Sequence, residues 1–287
     1  MAVLDRLMAA SRISCPACNS DALQPLYADS QARVNLCGTC TLMSVAYVDG
    51  PPAPERVFTR EHFQRNYLGT RETQAIPLWN EILDALERIV PARGNLVDVG
   101  CGVGTFLLQA RRRGWDGRGV DISPDAVALA CDRGLPVETG RLAELAWPAG
   151  GTGVLTFFES LAYERDLYGT LETAHRLLRA GGVLAVKAHW LTPRSVRLLH
   201  LVSRALGRRP YARAMMHLST SGVRWVFTPE SMTMLLRRCG FAVRHVRRLP
   251  PLPPTPGRRL SWLVRRATGA GSAFIVYAVR EGRPVRS

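Results

Sequence analysis

The sequence is poor in lysine, in aromatic residues and in long apolar runs. Of its 38 basic residues only Lys187 is a lysine, and the others are arginines. Because a GC-rich genome alone can favour arginine, the net charge of +15 is weak evidence of function by itself. No apolar run approaches the ~20 residues that a spanning helix needs, and Met1–Arg12 lacks the apolar core and cleavage site of a signal peptide. We therefore expect no membrane span and a cytoplasmic location.

Acidic residues are scarce in the last third of the chain. Residues 1–192 hold 19 basic and 21 acidic side chains, whereas residues 193–287 hold 19 arginines and only Glu230 and Glu281 as acids. This asymmetry predicts an anionic partner, such as a phosphorylated substrate, an acidic carrier protein, RNA or a membrane surface. A basic face that is merely solvated is the alternative.

Four of the seven cysteines are paired by their spacing. Cys15 and Cys18 form one Cys-x-x-Cys pair, Cys37 and Cys40 form a second, and 18 residues separate the two pairs. Thiolates at this spacing can bind one tetrahedral Zn²⁺, so residues 1–50 are predicted to form a zinc ribbon. Two disulfides are the competing interpretation, which a cytoplasmic location disfavours. Four thiolates leave no open position on the metal, so the zinc is expected to be structural.

Residues 51–92 are predicted to form a linker followed by a helical lid. The linker begins with the stiff segment Pro51-Pro52-Ala53-Pro54. An aromatic-rich helical stretch follows, and apolar residues then recur at helical spacing from Leu78 to Val90.

Residues 93–287 alternate between strand-like and helix-like segments. Strands are predicted at 96–99, 117–121, 136–139, 154–158, 183–187, 241–247 and 273–279. Helices are predicted at 105–113, 124–133, 167–179 and 229–238. This alternation predicts an α/β fold with a doubly wound, mostly parallel, seven-stranded Rossmann-like sheet.

An insertion near 192–222 is expected to contain a basic amphipathic helix at 194–213. Such a helix can close over a substrate, contact a membrane or recruit an acidic partner. Packing onto the domain is the simpler alternative.

The most informative segment is the turn that follows the first of these strands. It contains three alternating glycines, Gly100, Gly102 and Gly104, and a helix begins directly after it. Glycine lets the backbone bend tightly and lets a ligand approach it closely. Asp121 closes the next strand, where a carboxylate can accept hydrogen bonds from ribose hydroxyls. Together these residues predict a site for a nucleoside-bearing cofactor.

Four motifs in this order resemble those of class I S-adenosylmethionine-dependent methyltransferases that carry an N-terminal zinc ribbon. They lie at residues 96–107, 119–123, 175–182 and 227–232. An NAD-binding Rossmann domain is the main competing interpretation. The turn disfavours it, because its pattern is Gly-x-Gly-x-Gly rather than Gly-x-Gly-x-x-Gly.

The resemblance implies a cofactor site for S-adenosylmethionine. Asp98 and the turn through Gly100, Gly102 and Gly104 would hold the amino-acid end of the cofactor, and Asp121 would bind the ribose. Ile122, Arg141 and Leu142 would contact the adenine. Phe158 and Glu159 would face the methionine portion and the reacting methyl group. The sequence departs from the family at Arg141, where many relatives have an acid that accepts from the adenine amine.

The catalytic residues are less clearly marked. Many relatives have Glu-His after the fourth strand, where this chain has Ala162 and Tyr163. His189 is the predicted general base, because it follows the strand predicted at 183–187, at the edge where ligands bind in such sheets. Tyr163 is predicted to orient or deprotonate an acceptor. For both residues a purely structural role is the alternative.

The predicted activity is methyl transfer to a small molecule, namely a sugar, a nucleotide-sugar or a natural-product intermediate, which is anionic or carrier-bound. RNA methylation through the basic C-terminal third is an alternative. A scaffold that binds the cofactor without catalysis is another.

Overall fold

A computed structural model describes residues 14–28, 30–53, 57–90, 92–190, 222–249 and 272–281. The predicted basic helix at 194–213 lies outside the described residues, as does the insertion near 192–222 apart from Gly222. No helix among these described segments is long and apolar enough to cross a bilayer.

The described strands and helices follow the predicted alternation. The strands are β1 (Leu23–Ala28), β2 (Ala32–Cys37), β3 (Met43–Tyr47), β4 (Asn95–Val99), β5 (Asp116–Asp121), β6 (Val137–Thr139), β7 (Thr152–Phe158), β8 (Leu178–Trp190), β9 (Trp225–Val226), β10 (Phe241–Leu249) and β11 (Ser272–Arg280). The helices are α1 (Arg60–Asn66), α2 (Thr70–Ile89), α3 (Thr105–Arg112), α4 (Pro124–Cys131), α5 (Leu167–Leu177) and α6 (Pro229–Arg238). Short 3₁₀ turns lie at Leu142–Glu144 and Leu161–Tyr163.

The main sheet has seven strands in the order β10-β11-β8-β7-β4-β5-β6. Strands β8, β7, β4, β5 and β6 run parallel, and β11 and β10 are antiparallel additions at one edge. The prediction of a mostly parallel seven-stranded sheet is therefore confirmed.

Helices cover both faces of the main sheet. Successive residues of a strand point to opposite faces, so Leu96 packs with α2 and α3 while Val97 packs with α5 and α6. Burial on both sides explains why the central strands read as continuous apolar runs rather than as an alternating pattern.

Strand β8 differs most from its predicted bounds. Helix α5 ends at Leu177, before the predicted residue 179, and β8 begins at Leu178. The register between β7 and β8 shifts after Thr152 and Leu178, and Gly181 absorbs the irregularity with a φ of 71°. At its other end β8 continues past Lys187 because it pairs with β11, so His189 lies within the strand rather than after it.

A second, antiparallel sheet has the order β1-β2-β3-β9. Its first three strands form the N-terminal unit, and β9 comes from the segment before α6. The hydroxyl of Tyr168 also donates to the carbonyl of Pro16 at 2.6 Å. The N-terminal unit and the main domain thus share hydrogen bonds and part of one hydrophobic core.

Candidate functional site

The glycine turn after β4 has a left-handed backbone at three alternate positions. Gly100, Gly102 and Gly104 have φ values of 73°, 54° and 75°. A Cβ atom on Gly100 would overlap the side chain of Ser160, and one on Gly104 would overlap that of Leu135. Gly100 and Gly104 therefore permit close packing against these side chains. Gly100 and Gly102 also line a cavity.

Asp121 ends β5 and holds the glycine turn. Its Oδ2 accepts from the backbone N–H of Gly102 at 2.8 Å, and its Oδ1 accepts from that of Ser123 at 2.9 Å. Burial raises the pKa of Asp121, and these backbone hydrogen bonds oppose the rise.

Asp98 lies deeper, on β4 beneath the turn. Burial raises the pKa of Asp98 to about 7, although the Thr156 hydroxyl donates to its Oδ1 at 2.6 Å. The nearby Asp121 carboxylate raises it further. A cationic ligand in the cavity would favour the ionised form of both acids.

A cavity of about 370 Å³ lies at the carboxyl ends of β4, β5, β7 and β8. This is the edge where open α/β sheets bind ligands. Nine of the predicted site residues line it, namely Asp98, Gly100, Gly102, Asp121, Ile122, Arg141, Phe158, Glu159 and Tyr163.

Three of the predicted site residues do not line the cavity. Leu142 is only 1% exposed and packs into the hydrophobic core, so its position does not fit the predicted contact with adenine. Gly104 faces Leu135, as described above. His189 has a side chain that is 64% exposed and touches the site through Glu159.

Arg141 and Tyr163 form part of the cavity wall. Arg141 pairs with Glu164 at 3.3 Å. The ring of Tyr163 lies edge-on to that of Phe58, with 5.4 Å between ring centres. Burial raises the pKa of Tyr163, which favours its neutral form, a hydrogen-bond donor, over a role as a base.

Helices α1 and α2 form the other side of the cavity. Phe63 and Tyr67 line it from α1, and Glu72 and Trp79 line it from α2. The apolar spacing in the sequence predicts the start of this helix only at Leu78. The first two turns face the cavity with polar residues and so lack the apolar periodicity of the remainder.

Helix α2 is tied to the glycine turn by a set of polar contacts. The carboxylate of Glu72 accepts from the Thr105 hydroxyl at 2.9 Å and pairs with Arg133. Arg133 also donates to the carbonyl of Val103 at 2.8 Å. These contacts join the helical cover to the loop that sequence analysis assigned to the cofactor.

Lys187 is a cavity residue that sequence analysis missed. Its side chain is largely buried and pairs with Glu159, which also accepts from His189 Nε2 at 3.0 Å. Burial alone would raise the pKa of Glu159, but attraction to Lys187 and the His189 hydrogen bond lower it well below its usual range. The only signal in the sequence was that Lys187 is the single lysine, at the end of a predicted strand.

The charge of the cavity is opposite to that of the chain. Among the described residues that line it, five are acidic and three are basic, although the chain has a net charge of +15. The acids are Glu72, Asp98, Asp121, Glu159 and Glu164, and the bases are Arg71, Arg141 and Lys187. This balance suits a ligand with a net positive charge better than a polyanion.

The four paired cysteines converge in the N-terminal unit. All four sulfur atoms lie within 4.8 Å of one another, with Cys15 to Cys40 at 3.4 Å and Cys18 to Cys37 at 3.6 Å. Tetrahedral zinc with its usual sulfur bonds would separate the sulfurs by about 3.8 Å. The cluster therefore fits a Zn²⁺ ion, and its sulfur separations exceed a disulfide bond length.

Comparison with known proteins identifies the family. A family model described as "Methyltransferase domain" matches residues 70–246. The chain belongs to this methyltransferase family, which confirms the resemblance inferred from the motifs.

Two curated relatives match parts of the chain. Nocamycin O-methyltransferase of Saccharothrix syringae is 37% identical over 117 residues, covering 37% of this chain and 41% of that protein. dTDP-3-amino-3,4,6-trideoxy-alpha-D-glucopyranose N,N-dimethyltransferase of Streptomyces venezuelae is 28% identical over 130 residues, covering 43% of this chain and 54% of that protein. The chain thus spans about half the length of the curated relatives it matches.

A solved structure supports the same fold over a longer stretch. Geranyl diphosphate C-methyltransferase of Streptomyces coelicolor A3(2), in complex with Mg²⁺, geranyl diphosphate and S-adenosyl-L-homocysteine, superposes with a TM-score of 0.55. The match has 17% identity and covers 80% of this chain and 90% of that one. At this identity the similarity shows the fold alone.

Proposed function

We propose that the cavity binds S-adenosylmethionine and that the chain transfers its methyl group to a small molecule. The observation that carries this proposal is the joint position of the glycine turn, Asp121 and an acid-rich cavity in a chain of the methyltransferase family. S-Adenosylmethionine supplies a methyl group on a positively charged sulfur, which a cavity with excess acid favours.

The residues that would hold the cofactor follow the geometry of the turn. Gly100 and Gly102 line the cavity, and Asp121 reaches the same loop to accept from ribose hydroxyls. Asp98 would face the amino group, where the charge of the ligand would keep its carboxylate ionised. Ile122 and Arg141 lie beside Asp121 as the proposed adenine contacts.

Four residues would orient the acceptor and exclude water. Phe158 ends β7 and Glu159 follows it, and Tyr163 and Trp79 line the cavity from two other elements. Methyl transfer depends chiefly on alignment of the reacting atoms and exclusion of water. His189 would take the acceptor proton where one must be lost, held through its contact with Glu159.

The proposed acceptors are sugars, nucleotide-sugars and natural-product intermediates. Two relatives whose names specify an O-methyltransferase and an amino-sugar N,N-dimethyltransferase support this range. An anionic or carrier-bound acceptor stays a prediction, as do contact with RNA or a membrane and a cytoplasmic location.

Binding of S-adenosylhomocysteine to the Asp121→Ala variant tests the cofactor site. Calorimetry should show binding to the wild type and a loss of at least about tenfold in the variant, since a charge-assisted hydrogen bond disappears. Asp116→Ala, at the opposite end of the same strand, is the matched control and should bind normally. Equal binding by all three proteins would remove Asp121 from the cofactor site, and no binding by the wild type would refute the proposed function.

A further inference from the structure

Lys187, one of the three basic residues that line the cavity, has surroundings that point to a particular class of acceptor. Lys187 is only 7% exposed and lies on β8 directly beside Phe158 of β7. Its ammonium pairs with Glu159 Oε1 and lies 5.9 Å from the centre of the Trp79 ring. An ammonium has three donors, and Glu159 is its one anionic partner in the part of the chain that the structure describes.

Glu159 is held against Lys187 by an uncommon backbone conformation. Its φ is 72°, a left-handed value that costs a non-glycine residue about 1–3 kcal/mol. The backbone N–H of Glu159 donates to the carbonyl of Lys187 at 2.8 Å, which fixes the two residues side by side. Lys187 and His189 both bind Oε1. No hydrogen bond to Oε2 is found among the described residues.

The wall next to this pair is aromatic. The rings of Trp79 and Phe158 lie 5.2 Å apart, and Phe106 stands edge-on to Phe158 at 4.7 Å. The buried Nε1–H of Trp79 has no hydrogen-bond partner among the described residues. A compound with many hydroxyls would leave most of them unpaired against such a wall, which is costly. A planar ring would bury apolar area there and form stacking contacts.

We propose that this corner binds the acceptor and that the acceptor is a planar phenol or enol whose reacting oxygen is held as an anion by Lys187. This inference rests on the proposed function and narrows its substrate class. The Lys187 ammonium keeps donors beyond the one it gives to Glu159, which suits a single further negative oxygen, and the excess of acids in the cavity disfavours a polyphosphate.

The proton and electron balance of the step is simple. The O–H bond of the acceptor breaks, and its proton passes to solvent by way of Glu159 and of His189, which reaches the cavity through Glu159. The oxygen forms its new bond to the methyl carbon. The carbon–sulfur bond breaks, and its electron pair stays on sulfur.

The ionisation of 4-nitrophenol tests the inference, because the phenolate has a visible absorption that the phenol lacks. The protein is saturated with S-adenosylhomocysteine and titrated with 4-nitrophenol over a range of pH. Wild-type protein should lower the pKa of the bound phenol. In Lys187→Met, binding should weaken by about tenfold or more and the pKa shift should vanish, because a charge-assisted hydrogen bond is lost. Affinity for S-adenosylhomocysteine should change by less than about twofold.

Arg118→Met is the matched control, since it removes a charge from β5 outside the cavity lining. It should behave as the wild type. If Lys187→Met unfolds because Glu159 loses its cation, the double variant Lys187→Met/Glu159→Gln removes both charges and should likewise lose the pKa shift of the bound nitrophenol.

Two outcomes would overturn the inference. One is an unchanged ionisation of nitrophenol in Lys187→Met, and the other is equally tight binding of methyl glucoside, a neutral polyol. Failure of S-adenosylhomocysteine to bind the wild type would instead refute the proposed function. The same nitrophenol titration on the cofactor-free protein would then decide whether Lys187 forms an anion site.

Discussion

At the scale of single residues, Asp98 shows how burial alters an acid that the sequence presents as ordinary. Its motif position predicted a role at the cofactor, but only the fold reveals that it lies beneath the glycine turn with Thr156 as its hydrogen-bond donor. Burial moves its pKa from an ordinary 3.8 to about 7. The folded protein therefore keeps a proton on Asp98 that the unfolded chain loses above its ordinary pKa.

This difference predicts a pH-dependent stability in the cofactor-free protein. Between about pH 4 and pH 7 the folded state binds the extra proton, so the free energy of unfolding should fall as pH rises through this range. Asp98→Asn has no such titration and should gain stability over the wild type as the pH rises, by at most about 4 kcal/mol. Urea unfolding of both proteins across this range measures the difference, and a pH-independent difference would contradict the burial argument.

Lys187 and His189 show that the sequence does not predict which side chains of a strand end enter the cavity. The sequence placed both at the end of a strand, which was enough to select His189 but gave no reason to select Lys187. Which side chain enters the cavity depends on how far β8 continues along β11, and that pairing is set by residues more than 80 positions apart. A local sequence pattern carries little information about such a contact.

At the scale of secondary-structure elements, the polar contacts between α2 and the glycine turn can be tested by a single substitution. Glu72→Ala removes the partner of Thr105 and Arg133. The ion pair is partly exposed, so we expect a loss of about 1 kcal/mol in affinity for S-adenosylhomocysteine, seen as faster dissociation in stopped-flow measurements.

A second glutamate on the same helix provides the control for Glu72. Glu81 pairs with Arg247 away from the cavity lining, and its side chain is 52% exposed. Glu81→Ala should leave the dissociation rate unchanged. An equal effect of the two substitutions would show that α2 acts through general stability rather than through its contact with the turn.

Most elements of the main domain were predictable because their apolar runs and glycines are local signals. Two exceptions have clear causes. The polar first turns of α2 face the cavity, and the two residues of β9 form a strand only because β3 lies beside them. Neither arrangement produces the periodicity on which sequence-based prediction depends.

At the scale of the whole molecule, the four-cysteine unit is joined to the cavity by a chain of contacts. Strand β3 pairs with β9, and the backbone N–H of Arg224, just before β9, donates to the carbonyl of Ala162 at 2.8 Å. Ala162 precedes Tyr163 in the cavity wall. The sequence predicted the ribbon at residues 1–50 as a separate unit, and it gave no sign that the ribbon shares a core with the main sheet.

Loss of the zinc that the four cysteines are predicted to bind should therefore affect the cavity as well as the ribbon. Cys37→Ser is expected to lose the metal, to unfold at lower temperature in a single transition, and to bind S-adenosylhomocysteine more weakly. Metal analysis, thermal unfolding and calorimetry measure the three effects. Cys131→Ser, at an exposed cysteine outside the cluster, is the control. Two separate unfolding transitions, or full affinity without metal, would contradict this coupling.

The rarity of lysine has a practical consequence for work on this protein. The sequence offers a single side-chain primary amine, and the structure turns it towards a cavity. Because Lys187 is 7% exposed and lines the cavity, we expect acylating reagents such as succinimidyl esters to reach its amine from the cavity. The rate at which Lys187 is acylated should therefore measure how often the cavity is filled, without a labelled ligand.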